Sequence, residues 1–237
     1  MSATGNVDRI YENVKRMTSG FDLKPDEKLN EQAMARKLGA SRTPLREALN
    51  RLVSEGFLKY ESGRGFFCRS LGAEQILELY QAREAVECKL VELACLNASK
   101  QDFDDLEQFL KQSETDYHEN KLGSELVEID EAFHMRIAAL SKNSVLIGML
   151  ENLNARIRFV RTIDLEERRV VTPGNHAKIL QMMRANQVSE AVQQMRLHIL
   201  RSQEEASEAV RKAYSRIYVP GNVAQDNNDN KANIGES

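Results

Sequence analysis

Two groups of residues have the types and spacing to do chemistry. The first is Asp130, His134, His176 and His198, which includes three of the four histidines in the 237-residue chain. Asp130 and His134 are four apart, so on a helix both side chains leave the same face. One carboxylate with three imidazoles is an N/O donor set suited to Zn, Ni, Mn or Fe rather than to Ca or Mg. Spacing by itself leaves other readings open. Asp-x-x-x-His also suits a surface ion pair, and histidines on apolar faces also serve as hydrogen-bonded core residues. The second group is Ser41-Arg42-Thr43-Pro44-Leu45-Arg46. Ser41 can cap a helix, and Pro44 is tolerated only in its first turn. Arg42 and Arg46 then place cations at a helix N-terminus, where they oppose the macrodipole. A helix that meets phosphates and base edges with that end needs them there. A solvated basic face is the alternative.

The elements that must position the second group can be read on either side of it. Val7, Ile10, Tyr11, Val14 and Met17 recur at steps of three and four, which predicts a first amphipathic helix ending at Ser19-Gly20. Phe21 to Leu29 reads as an extended turn. Asn30 can cap a second helix, whose apolar side is Ala33, Met34 and Leu38 and which Gly39 closes. Leu45, Leu49 and Leu52 form the stripe of the third. Gly56 to Tyr60 and Phe66 to Arg69 alternate as two short strands, joined by the tip Ser62-Gly63-Arg64-Gly65. A helix-turn-helix followed by a basic hairpin is a winged helix.

From Ala73 the periodicity is helical almost throughout, with no strand-like alternation, which predicts an antiparallel all-helical bundle. Expected helices run to about Ser99, from Phe103 to about Asn120, from a Ser124 cap, from Asn143-Ser144, from Asn175 to Asn186 and from Ser189 to Ser215. Thr172-Pro173-Gly174 reads as the sharpest break. The fold class is therefore mainly α: a winged helix-turn-helix with a small β wing over residues 1–70, a helical bundle over 71–218, and a disordered tail over 219–237.

Charge separates the two halves. Residues 1–70 hold 13 Lys and Arg against 9 Asp and Glu, about +4, and the remainder holds 20 against 27, about −7. Only the front suits an anionic partner. No apolar run approaches the ~18–20 residues needed to span a bilayer, and the first residues lack the pattern of a secretory signal. Cys68, Cys88 and Cys95 lack metal-site spacing and read as reduced core residues. These features lead us to expect a cytoplasmic protein with no membrane partner.

The front half resembles the winged-helix DNA-binding domain of the GntR family of bacterial transcription regulators. The resemblance rests on Pro25-x-x-x-Leu29-x-Glu31, on Leu38-Gly39-Ala40-Ser41-Arg42-Thr43-Pro44-Leu45-Arg46-Glu47-Ala48-Leu49, and on Leu52-x-x-Glu55-Gly56 with Gly65-Phe66. Asp26 stands where the family usually has Gly. The resemblance implies that Arg42 and Arg46 read bases, that Ser41 and Thr43 take phosphates or base edges, that Gln32 contacts DNA at the start of the second helix, and that Ser62, Gly63 and Arg64 approach the minor groove.

The back half looks like the FCD effector domain of the FadR-like subfamily, on Arg83-x-x-x-Glu87, Asp130-x-x-Phe133-His134, Asn175-His176-x-x-Ile179-Leu180 and Met195-x-x-His198-Ile199. This implies a divalent transition metal on Asp130, His134, His176 and His198, and a small carboxylate effector clamped by Arg83. Arg156, Arg158 and Arg161 lie beside an apolar stripe and read by default as a solvated face from which one could point inward, with Arg156 a further effector candidate. His118 matches nothing and reads as surface. The resulting expectation is a homodimeric repressor on a pseudo-palindromic operator, controlled by a carboxylate metabolite. The competing class is a metal-dependent hydrolase or isomerase with a DNA-binding head. Against it, the nearest base candidate, Glu131, points about 100° away from Asp130 around a helix.

Overall fold

The computed structural model describes residues 3–20, 22–70, 72–118, 121–168 and 172–200, with positions 203 and 210. The expected tail at 219–237, the end of the last helix near Ser215 and the side chain of His118 lie outside the described residues.

The N-terminal lobe comprises α1 (Ala3–Ser19), α2 (Glu31–Leu38), α3 (Arg42–Ser54), β1 (Leu58–Glu61) and β2 (Gly65–Cys68). Its core is one cluster in which Ile10, Val14, Leu45, Leu49, Leu52, Leu58 and Phe66 are fully buried. The stripe of α3 is thus clamped between α1 and the hairpin, which leaves the opposite face of α3 outward. Asn30 caps α2 as expected, its Oδ1 accepting from the Ala33 N–H at 2.9 Å. Gly39 ends α2 at φ +59°, a left-handed conformation that a side chain would strain, and so sets the tight turn into α3. Ser41 occupies the N-cap of α3 by backbone conformation, yet its side chain makes no capping bond. The hydroxyl expected to cap the helix is thus left for another partner.

The wing is an antiparallel hairpin with Leu58 opposite Cys68 and Glu61 opposite Gly65. The segment after α1 adds a bridge from Lys28 to Phe67, so it docks on the wing as well as turning. Asp26 lies in that segment at φ +60°. Its carboxylate accepts from Ser70 Oγ at 2.6 Å and Lys59 Nζ at 3.1 Å, tying the turn to the wing. These bonds account for an Asp where left-handed backbone would favour Gly.

The C-terminal lobe is a bundle of α4 (Ala73–Asn97), α5 (Lys100–His118), α6 (Gly123–Leu140), α7 (Ser144–Arg168), α8 (Thr172–Arg184) and a last helix, α9, described over residues 188–200. Its core gathers Tyr80, Val91, Phe133, Ile157, Val160, Ile179, Met195 and Ile199 from α4, α6, α7, α8 and α9. Two helix starts differ from expectation. α6 begins one residue before Ser124, at Gly123, and in place of a hydroxyl cap the Glu125 carboxylate accepts from the Leu122 N–H at 2.8 Å. Thr172-Pro173-Gly174 is the first turn of α8 and not a break, because proline there gives up only an N–H that has no helical partner.

Asp26→Gly and Asp26→Ala both lose the Ser70 and Lys59 contacts, but only Ala keeps a Cβ at positive φ. Urea unfolding should therefore rank Asp26→Ala below Asp26→Gly by about 1 kcal/mol. Equal stability would show that the turn relaxes out of the left-handed region.

Candidate functional site

Three helices bring Asp130, His134, His176 and His198 together. Asp130 and His134 come from one face of α6, His176 from the second turn of α8 and His198 from α9. All four are at most 5% exposed. One ligand atom from each lies within 4.8 Å of all the others. Ligands about 2.0–2.2 Å from one ion must lie within about 4.4 Å of each other, so closure by a few tenths of an ångström would gather all four.

The surroundings fix which atoms face inward. The Glu87 carboxylate of α4 contacts His134 Nδ1, which leaves His134 Nε2 toward the cluster. His198 Nε2 stands 3.2 Å from His134 Nε2, and His176 Nε2 stands 3.2 Å from Asp130 Oδ1. Two imidazole nitrogens so close require a proton or a cation between them. A carboxylate on the far nitrogen of a histidine fixes its tautomer and raises its donor strength. Phe133 stacks on His176 at 4.0 Å between ring centroids and fixes that ring's plane.

Electrostatics favour the ligand forms. Burial, with the neighbouring histidines, pushes His198 well below the ordinary imidazole range, and burial also lowers His176, so both are neutral near pH 7. Burial opposes ionisation of Asp130, but Arg161, then His134 and His176, outweigh it and hold its carboxyl well below the usual carboxylate range. Glu87 likewise sits at about 2: burial acts to raise it, and Arg83 and His134 override that.

The cluster belongs to a longer chain of buried charge. Arg83 Nε donates to Glu87 at 2.5 Å. Arg161 donates to Asp130, to Glu131 at 3.1 Å and to Asn154 at 3.3 Å. Within this chain two guanidiniums, Arg83 and Arg161, face three carboxylates, Glu87, Asp130 and Glu131. Half-exposed Arg158 adds a third cation, paired with Glu131 at the outer end of the chain. Among the described residues, the buried donors Arg83 Nη2, Asn175 Nδ2 and the Tyr117 hydroxyl have no hydrogen-bond partner.

Arg83 is therefore inside the bundle as expected, 2% exposed, with an unused N–H group. Arg156 is not brought to the cluster, which corrects its placement as an effector residue. It lies about 200° around α7 from Asn154 and turns to the N-terminal lobe, where a Cβ at Gly56 would meet its Cζ at 3.0 Å. Arg161 takes the inward position instead. Its signal was available, since it follows Ile157 by four on the apolar stripe of α7. Glu131, weighed as a general base, is held as a counter-ion by Arg158 and Arg161. Tyr117 carried no sequence signal.

The second group of residues is displayed outward. Gln32, Ser41, Arg42, Thr43 and Arg46 are all exposed at the N-terminal ends of α2 and α3. Glu31 holds Arg46 Nε at 3.6 Å, and the Arg46 guanidinium lies 5.9 Å from the Phe66 ring, between helix and wing. Ser62, Gly63 and Arg64 form the exposed wing tip, with Arg64 paired to Glu61 and 4.9 Å from the Phe67 ring.

Comparison with known proteins agrees with this arrangement. Residues 6–68 match the model of bacterial regulatory proteins of the gntR family, and residues 78–201 match the FCD domain. The chain belongs to the GntR family of transcriptional regulators, in its FCD-containing branch. It is 36% identical to the Nta operon transcriptional regulator of Aminobacter aminovorans over 202 residues, covering 85% of this chain and 95% of that one. It is 29% identical to the HTH-type transcriptional regulator YdhC of Bacillus subtilis, over 80% of this chain and 86% of the other. The structure of Escherichia coli McbR superposes with a TM-score of 0.64 at 24% identity, over 91% of this chain and 99% of that one. A putative GntR regulator from a Rhodococcus species gives 0.66 at 20% identity, over 86% and 99%. The relatives are transcriptional regulators, and the enzyme reading falls away. No helix among the described residues is long and apolar enough to cross a membrane.

Removing Arg161 leaves Asp130 and Glu131 buried without their shared cation. Arg161→Met should destabilise the metal-free protein by about 3–5 kcal/mol in denaturant. A loss below 1 kcal/mol would mean that the pair is not buried in solution.

Proposed function

We propose that this regulator is a cytoplasmic homodimeric repressor, reading a pseudo-palindromic operator and controlled by a small carboxylate at a metal centre. The observation that carries the reading is the buried Asp/His₃ cluster, whose four donors face one another. Asp130, His134, His176 and His198 would hold the ion, and the donor chemistry suits Zn, Ni, Mn or Fe. When bound, such an ion supplies a Lewis-acid centre with coordination positions left for water or a carboxylate. The unused Nη2 of Arg83 is the chain's own donor for a carboxylate oxygen.

Helix α7 offers a route from this site to the DNA-binding lobe. One face carries Asn154 and Arg161 into the charge chain. The other carries Asn152, which donates to the Glu55 carbonyl at 3.1 Å, Ala155, which packs on the N-terminal core, and Arg156 against Gly56. An effector that prefers one placement of α7 shifts the position of α3. Two copies are needed to read a two-fold operator. A groove between α4 and α7, lined by Ala82, Val86, Val145 and Met149, offers apolar surface for a second copy, with Val145 65% and Met149 51% exposed.

The test is operator affinity on duplexes selected from a random library. Arg46→Ala should weaken specific binding by about 1–3 kcal/mol per half-site while leaving weak, salt-sensitive binding. Unchanged specific affinity would remove α3 as the reading helix. His134→Ala combined with His198→Ala should retain operator binding, lose the metal and lose every response to carboxylates. A double variant that still purifies with stoichiometric metal would contradict the site.

A further inference from the structure

Where the two lobes meet, positive charge stands without a counter-ion. Ser19 at the end of α1, Gly56 after α3, Arg69 at the base of the wing, Gln75 in the first turn of α4 and Arg156 of α7 surround a crevice of about 50 Å³. One buried water needs roughly 10–15 Å³ of such space, so the crevice has room for about three or four waters or one tetrahedral oxyanion.

The donors around it are unused. A Cβ on Gly56 would stand 3.0 Å from Arg156 Cζ and 3.2 and 3.3 Å from its two Nη atoms. Those distances set the guanidinium face-on to Gly56, with its N–H bonds pointing outward from the edge of the plane. The end of α3 does not need them, because the carbonyls of Arg51, Leu52 and Val53 accept from the N–H groups of Glu55, Phe57 and Gly56. Among the described residues neither Arg156 nor the exposed Arg69 has an ion pair or a side-chain hydrogen bond, and no carboxylate lines the crevice. Burial, and then the like charge of Arg69, lower the Arg156 pKa. Ser19 Oγ is buried with no partner. The N-cap of α4 is Gly72, which has no side chain to cap the first-turn N–H groups. Two guanidiniums, a hydroxyl and a helix N-terminus together suit an anion and repel a cation.

We propose that this seam between the lobes is a site for one small tetrahedral oxyanion of the phosphate class, held by Arg156 and Arg69 with Ser19 Oγ as a further donor. The site is independent of the metal centre. A DNA backbone phosphate has the same chemistry, but Gly56 follows the C-terminal end of α3, about 20 Å along that helix from the outward Arg42. A free anion fits that position. Bound there, it ties α7 to the end of α3 and the base of the wing.

The experiment titrates inorganic phosphate into the full-length protein at constant ionic strength, read by calorimetry and by the melting midpoint. The wild type should bind one equivalent and its midpoint should rise to a plateau. Arg156→Gln and Arg69→Gln should each weaken phosphate at least about tenfold, and Ser19→Ala should weaken it less. Arg69 is exposed, so its variant carries the test even where Arg156→Gln fails to fold. A midpoint that climbs without a plateau, equally in wild type and variants, is the general exclusion of such ions from protein surfaces and overturns the site. Saturable binding that both arginine variants retain places the anion elsewhere and also overturns it. If the wild type binds no phosphate while both variants weaken operator binding on every sequence and flatten its salt dependence, the crevice serves DNA phosphates and the free-anion assignment falls.

Discussion

A buried chain of charge dominates this molecule. Arg83, Glu87, Asp130, Glu131 and Arg161 are tied to one another or to His134 inside a helical bundle, where each isolated ion would cost several kcal/mol. Such a group is tolerated only when its members neutralise one another, and Arg158 completes the pairing by holding Glu131 at the outer end. At the inner end Asp130 and three imidazoles turn one donor atom each toward the same point. The packing of the bundle around this network and the expected cofactor both follow from that convergence. A structural core would more simply have been built from leucines, so the polar arrangement points to binding.

The position of the chain of charge within the fold matters as much as its composition. It draws on α4, α6 and α7 directly and on α8 and α9 through the histidines, so a shift of any ligand is felt across the bundle. α7 also touches the N-terminal lobe, through Asn152, Ala155 and Arg156. Its two faces therefore join the site to the helix-turn-helix within one rigid element. The recognition face itself is fixed by packing: Leu45, Leu49 and Leu52 bury one side of α3, and Arg42, Thr43 and Arg46 have no direction left but outward.

Much of this was legible in the sequence because it is periodic. The apolar stripes of α1, α3 and the bundle helices, the Asn30 cap and the left-handed Gly39 each follow from local chemistry, and the structure has them. Asp130 with His134 was visible as an i, i+4 pair; their union with His176 and His198 was not a property of spacing and came from family resemblance. Other features were hidden for physical reasons. A helical arginine usually points to water, so Arg161 read as solvated even though it sat on an apolar stripe. Proline usually signals a break, so Thr172-Pro173-Gly174 reads as one in the sequence, although a first turn accepts it. Tyr117 has no signal in the sequence, because an aromatic on a helix gives no sign of what its hydroxyl will face.

The central claim is that the four facing donors bind a transition metal. The most direct measurement is the melting midpoint of chelator-stripped wild-type protein, reloaded in turn with Zn, Ni, Mn, Mg and Ca. An ion that binds only the folded state must raise the midpoint. The account predicts a rise that saturates at one equivalent for one or more of the transition ions, with little effect from Mg or Ca at the same concentration. A midpoint indifferent to every ion, or raised as much by Mg as by Zn, would contradict it.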